Sequence, residues 1–341
     1  MKRADNKTTL LNDPEMLSLA DLPSEDVWLE NARTKSTETA RYYKTDLLQF
    51  KKYFGIKKPE QYREITAKHI TQWKLALQYG PQYKIADKIP KDTPKLIENG
   101  TVARKLSSVS ALFTFYCEQG AMKANPFKVI SRPSVDNHIG KSKIINEAEA
   151  RKLLYSPLPY TIKGKRDRAI LSSFLYHGLR RAEVCDLKIN SMFVDNGVNV
   201  FLIKGKGDKI RRVPINPSTI KLINEYLNES DHGDDEEAPL FLPLKNYKNE
   251  HGKLNHLTGD GIYKIIMYYA QKTGIDMNKF HPHSLRATAA TNALNNNADI
   301  VEVQKWLGHA NIQTTRIYDH REQEDAKSPT FKINYWSFFP I

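Results

Sequence analysis

The chain has 341 residues, of which 40% are hydrophobic, enough to fill the cores of two domains. Lysine and arginine total 52 against 39 aspartates and glutamates, and the net charge of +13 points to a polyanionic partner. No apolar run approaches the roughly 20 residues of a membrane-spanning helix, and the start, Met1-Lys2-Arg3, leads into no signal-peptide core; a membrane role is not expected, and the reading is a cytoplasmic, nucleoid-associated protein.

Residues 1 to 22 are polar with scattered leucines and read as an arm. From Ser36 the positions Thr39, Tyr42, Tyr43, Asp46, Leu47, Phe50, Tyr53 and Phe54 recur at the spacing of an amphipathic helix, with Ser36 or Thr37 available as its cap. The stripe Ile70, Trp73, Leu77 predicts a second helix over Thr66 to Leu77. Leu106, Val109, Leu112, Phe113 and Tyr116 predict a third over Val102 to Glu118. Gly80 to Gly100, with three prolines, reads as a long loop or a loop with a short helix near Lys95. A helical domain over 23–128 therefore precedes an interdomain linker over 129–144.

The second domain, 145–328, opens on a helix capped by Asn146 with acids in its first turn. A helical stripe through Ala169, Ile170 and Phe174 runs up to Gly178. Val198 to Ile203 and Ile210 to Ile215 flank a Gly-Lys-Gly-Asp turn, which is the pattern of a β-hairpin. Glu229 to Glu237 reads as a solvated acidic loop, and helices dominate from Thr258 to Tyr318. Beyond Pro329 the aromatic tail 329–341 alternates in the period of a strand. Cys117 and Cys185 sit apart among helical apolar residues and read as buried, reduced thiols.

Five short strings carry chemistry. Arg180 follows Gly178 and precedes Glu183 by one helical turn, an arrangement that alone describes a surface ion pair. In His281-Pro282-His283-Ser284-Leu285-Arg286 the proline marks a helix start, and His283 and Arg286 share a face. A metal held by His281 and His283 is the competing reading, but carboxylate or cysteine partners are wanting nearby. His309 follows Gly308 at the end of a helix that starts near Asp299. Asn311 then caps a short helix on which Thr314 and Tyr318 fall on one face. Lys206 stands between two glycines at the hairpin tip, where the backbone can approach a phosphate closely, with Lys204 and Lys209 near enough to take its place.

In their order and spacing these residues resemble the tyrosine recombinase (phage integrase) family, in a simple two-domain form similar to the Xer proteins and integrases. The resemblance covers residues from about 25 to 320. It implies a mainly α fold with a small β component: an N-terminal helical, SAM-like core-binding domain, then a mixed α/β catalytic domain. It implies that Arg180 and Arg286 clamp the phosphate, Lys206 is the hairpin general acid, His283 is the histidine of the HxxR box, His309 is the second histidine, Tyr318 is the nucleophile and Glu183 is a supporting acid. It further implies a 3′-phosphotyrosine intermediate, a Holliday junction and double-stranded DNA as partner. The assembly would be a homotetramer on DNA, formed from a monomer or weak dimer, with DNA-bending accessory proteins in some systems.

Neither cofactor nor metal is expected, because the phosphotyrosine keeps the bond energy. Lys44, Arg104 and Lys105 of the first domain are candidates for DNA contact, and the aromatic tail is expected either to pack on an adjacent subunit or to cover its own domain. Two rival readings use the same fold: a type IB topoisomerase that relaxes DNA, and a non-catalytic DNA-binding accessory protein. If phosphate contacts dominate, duplex binding measured by anisotropy should weaken about a thousandfold between roughly 50 and 200 mM salt; a flat profile would count against a DNA substrate.

Overall fold

A computed structural model describes residues 24–83, 93–134, 142–205, 210–245 and 247–319. The chain divides into two compact units, Met1–Asp136 and Asn137–Ile341. The N-terminal arm, the hairpin tip with Lys206, residues 135–141 of the expected linker and the aromatic tail lie outside the described residues.

Among the described residues the first unit is built on four α-helices, α1 (Glu25–Lys35), α2 (Thr37–Phe54), α3 (Ala67–Tyr79) and α4 (Asn99–Glu118). Ser36 is the cap of α2, its hydroxyl accepting from Thr39 N, and Gly55 ends the helix in the left-handed conformation that favours glycine. The predicted stripes converge: Phe50 packs edge-on against Trp73 at 4.9 Å and against Phe113 at 6.1 Å, with Leu106, Val109 and Leu112 buried around them. Helix α1 was not expected, since few of its residues are apolar. Tertiary contacts hold it: Trp28 stacks on Tyr43 at 4.9 Å, and Glu25 accepts from Lys51 at 2.9 Å and from the Tyr62 hydroxyl at 2.6 Å. Among the described residues around Lys95, 93–98 form no helix. There Leu96 N donates to Gln78 O at 2.7 Å, which ties an irregular segment to the end of α3.

In the second unit α5 (Glu147–Leu154) begins with a reciprocal box, Asn146 and Glu149 each accepting the other's backbone N–H at 2.9 Å. Helix α6 (Ile162–Leu175) is buried on nearly all sides and forms the axis of the domain. After α7 (Arg181–Asp186) come three antiparallel strands, β1 (Met192–Asp195), β2 (Val198–Lys204) and β3 (Ile210–Pro214), in the order β1-β2-β3. The register pairs Phe201 with Val213 and Lys204 with Ile210, and Phe201, Ile203 and Val213 on the inner faces of β2 and β3 join the buried core to which α6 also contributes. Strand β1 extends the expected hairpin into a meander. Its signal was Asn196-Gly197, both at positive φ, the residues that a tight two-residue turn requires.

Helices α8 (Pro217–Leu227), α9 (Gly259–Lys272), α10 (Pro282–Asn295), α11 (Ile300–Leu307) and the single-turn α12 (Gln313–Arg316) complete the unit. The acidic stretch over Glu229 to Glu237 is not simply solvated. Glu237 accepts from Lys188 and Asn190 at 2.6 Å each, and His232 within it is buried. Cys117 and Cys185 are free thiols, half-buried rather than buried.

His177, at the end of α6, is fully enclosed, and its Nε2 accepts from Asn216 N at 3.0 Å. Burial pushes its pKa down to about 4. The unfolded chain then binds a proton that the folded one refuses, so stability falls as pH drops below the ordinary histidine value. Urea denaturation should show His177→Gln losing about 2 kcal/mol less than the wild type between pH 7 and pH 5.

Candidate active site

Gly178 closes the turn after α6 at φ 55°, and a Cβ there would lie 2.7 Å from the Leu307 side chain, so both conformation and space require glycine. Arg180 then stands as the N-cap of α7. Its backbone N–H donates to Glu183 Oε2 and its Nη1 to Glu183 Oε1, both at 2.7 Å, while Nη2 reaches Gly308 O at 3.1 Å. Glu183 also receives Arg211 of β3 in a fork, Nη1 to Oε1 and Nη2 to Oε2 at 2.8 Å each. One carboxylate thus accepts four N–H donors from two guanidiniums and a peptide. Burial alone would raise its pKa; the Arg211 bonds and the Arg180 peptide N–H outweigh it and hold Glu183 at about 2.

Pro282 opens α10 and sets His283 in its first turn, with Arg286 one turn on. Arg286 is 1% exposed. It donates to Gly178 O, to Leu307 O at 2.6 Å, and its Nη2 lies 2.9 Å from His309 Nε2. Its Nε has no partner, and none of these contacts is a carboxylate. Burial first, then Arg180, lowers its pKa to about 9, which leaves it charged at neutral pH.

Gly308, left-handed at φ 68°, ends α11 and turns the chain so that His309 faces inward. His309 Nδ1 lies 2.9 Å from the Thr315 hydroxyl. Tyr318 falls in the turn after α12 rather than on it; Thr314 is exposed while Tyr318 is 3% exposed, so the two do not share a face. Thr291 donates to Tyr318 O at 3.1 Å, and the phenolic oxygen lies 3.1 Å from His283 Nε2.

Burial and the Arg286 charge push His283 down to about 4 and His309 to about 3, so both rings are neutral. Burial raises the Tyr318 pKa, while Arg286 and Arg180 pull the other way. The site therefore presents a protonated phenol hydrogen-bonded to a neutral imidazole, beside two cations.

Arg180, Glu183, His283, Arg286, His309 and Tyr318 are brought together, whereas Lys206 lies outside the described residues. Arg211 was missed, although strand alternation carried its signal: it shares a face with buried Val213, and an inward arginine needs a carboxylate. Thr315 had no comparable signal. In the first unit Lys44 is exposed, but Lys105 is not available at the surface. It is buried, with its ammonium 3.2 Å from the buried Asp46 carboxylate. Arg104 also pairs with Asp46 and lies over the Tyr42 ring at 4.8 Å. Helix α4 turns both inward toward α2, a consequence of one buried aspartate. Among the described residues no three His, Cys, Asp or Glu side chains stand close enough to hold a metal ion.

The depressed pKa of Glu183 contributes stability that is present above the ordinary carboxylate range and lost as pH falls toward 2. Urea unfolding of Glu183→Gln should accordingly show a deficit on the order of 3 kcal/mol at pH 7 that shrinks at pH 3.

The chain as a whole is similar to known proteins. A profile of the phage integrase family matches residues 143–325. The tyrosine recombinase XerD of Listeria monocytogenes is 31% identical over 292 residues, covering 84% of this chain and 89% of that protein. The tyrosine recombinase XerC of Listeria welshimeri is 29% identical over 311 residues, covering 89% and 94%. A crystal structure of the XerH site-specific recombinase bound to a palindromic difH substrate, a post-cleavage complex, superposes with a TM-score of 0.62 at 25% identity, covering 89% of this chain and 81% of that one. The fold is also that of a lambda integrase dimer bound to a core site, with a TM-score of 0.61 at 12% identity over 88% of this chain and 97% of that one. This chain belongs to the phage integrase family, the tyrosine recombinases.

Proposed function

We propose that the chain is a site-specific DNA recombinase that cuts and rejoins duplex strands through a covalent 3′-phosphotyrosine on Tyr318. The observation that carries this reading is the 3.1 Å approach of His283 Nε2 to the Tyr318 hydroxyl beside Arg180 and Arg286. The neutral imidazole takes the phenol proton as the tyrosine oxygen attacks phosphorus. The new Tyr–O–P bond forms while the bond from phosphorus to the 5′ oxygen breaks, and the leaving oxygen takes a proton from Lys206.

Arg180 and Arg286 stabilise the charge that builds on the non-bridging oxygens; by analogy with an oxyanion hole, each contact lowers the barrier by roughly 3 kcal/mol. His309, its Nδ1 braced by Thr315 and its Nε2 accepting from Arg286, holds the Arg286 guanidinium in place on the same side. A 5′ hydroxyl from another strand then reverses the chemistry, and the energy of the original bond carries through. Each chain has one such tyrosine and cuts one strand. Exchange between two duplexes breaks four strands, which supports a homotetramer on DNA passing through a Holliday junction.

Covalent trapping tests the reading. Wild type and Tyr318→Phe are mixed in EDTA with nicked fragments of the source genome, then resolved on a denaturing gel and sequenced. The expected result is an adduct on a 3′ phosphate with the wild type alone. An adduct that persists in Tyr318→Phe, or one abolished by chelation, would overturn it.

A further inference from the structure

Past Arg180 and His283 the site does not end. A cavity of about 380 Å³ continues from these two side chains to Arg181, Tyr263 and His281. We infer that this cavity is a second phosphate subsite, in which Arg181, with Tyr263 and His281, holds the phosphodiester next to the scissile one on the cleaved strand. The inference rests on the reading of Tyr318 as nucleophile, because that reading puts the scissile phosphate against Arg180 and His283.

Arg181 contrasts with its neighbour. Arg180 is fixed by Glu183 and Gly308 O, whereas Arg181 is exposed and makes no hydrogen bond or ion pair among the described residues. Glu183 cannot neutralise it, since both carboxylate oxygens already accept from Arg180 and Arg211. Asp260, at the start of α9, is exposed and is not paired with it.

The place of its guanidinium is nevertheless defined. A Cβ on Gly259 would come within 3.3 Å of Arg181 Nε and 3.5 Å of Cζ, so the group lies along the first turn of α9 in room that the glycine leaves. Tyr263, one turn further along that helix, is 41% exposed and offers a hydroxyl. On the other wall the imidazoles of His281 and His283 lie nearly parallel, 19° apart, with centroids 6.3 Å apart.

A planar fork, a phenol and an imidazole around one opening match the tetrahedral oxygens of a phosphodiester. The occupant is the substrate strand itself. The opening is continuous with the scissile site, and a DNA strand carries a further phosphate about every 3.4 Å of rise. Such a contact carries no base information, but it sets the register of the strand and so decides which phosphate faces Tyr318.

The test is a cycle of protein and DNA changes. Duplexes bearing the trapped sequence are made with one neutral methylphosphonate at either phosphate flanking the scissile one, and the rate of adduct formation is measured for wild type, Arg181→Met and Arg181→Lys. At one flank, neutralising the phosphate and removing Arg181 should each slow wild-type cleavage about tenfold, and together no more than either alone. Arg181→Lys should fall between, since it keeps the charge and loses the fork. Effects that multiply at both flanks, with wild type still forming its adduct, would overturn the subsite alone. Failure of wild type to form any Tyr318 adduct would overturn the nucleophile reading and the subsite with it.

Discussion

The second unit is organised around one buried guanidinium that has no carboxylate. Arg286 is enclosed at the meeting point of α6, α10 and α11, and it survives there because it takes carbonyls left over where helices end: Gly178 O after α6 and Leu307 O at the end of α11. Partial negative charges satisfy its hydrogen bonds without cancelling its charge. Two glycines make this possible, since Gly178 and Gly308 each turn the chain through the left-handed region next to the carbonyls in question. The result is a positive centre that is solvated by peptide dipoles and remains available to an anion.

Around that centre, acid and base are kept apart by geometry. Glu183 is the carboxylate closest to the arginines, yet it is saturated by Arg180 and Arg211 on one side of the site. Arg211 thereby ties the β-meander to α7, and through Trp306 O at 3.2 Å it ties the meander to the end of α11 as well. The strand that leads out of the hairpin tip and the helix that presents Arg180 thus share one anchor. Burial first, and then the same positive field, keeps His283 and His309 neutral, which is the state in which an imidazole can accept a proton. In the free protein the phenol of Tyr318 stays protonated, because burial outweighs the two arginines. An arriving phosphate would change that balance: it would offset the arginine charges and favour protonation of the histidines.

The first unit uses a related device for a different end. Asp46 is fully buried between α2 and α4 and receives Arg104 and Lys105. A buried carboxylate left with no cation would be strongly destabilising, so α4 must turn basic residues inward. This is why reading every lysine opposite an apolar stripe as a surface contact misplaced Lys105.

Periodicity by itself determined the helices α2, α3 and α4, the hairpin of β2 and β3, and the capped start of α5, because each depends on residues within one or two turns of one another. Glycines and capping residues marked where those elements stop. The strings around Arg180, His283, His309 and Tyr318 marked candidate chemistry, and the match of their order to a family supplied the roles. Only the tertiary structure decided the rest. Helix α1 depends on Trp28 meeting Tyr43 and on Glu25 meeting Lys51, contacts that no local pattern encodes. The approach of His283 to Tyr318 spans three helices, and the pairing of Glu183 with Arg211 joins a helix to a strand. Sequence specifies local geometry through backbone preferences, but the distance between two side chains far apart in the chain is set by how buried surfaces pack, and that is settled only when every element is in place.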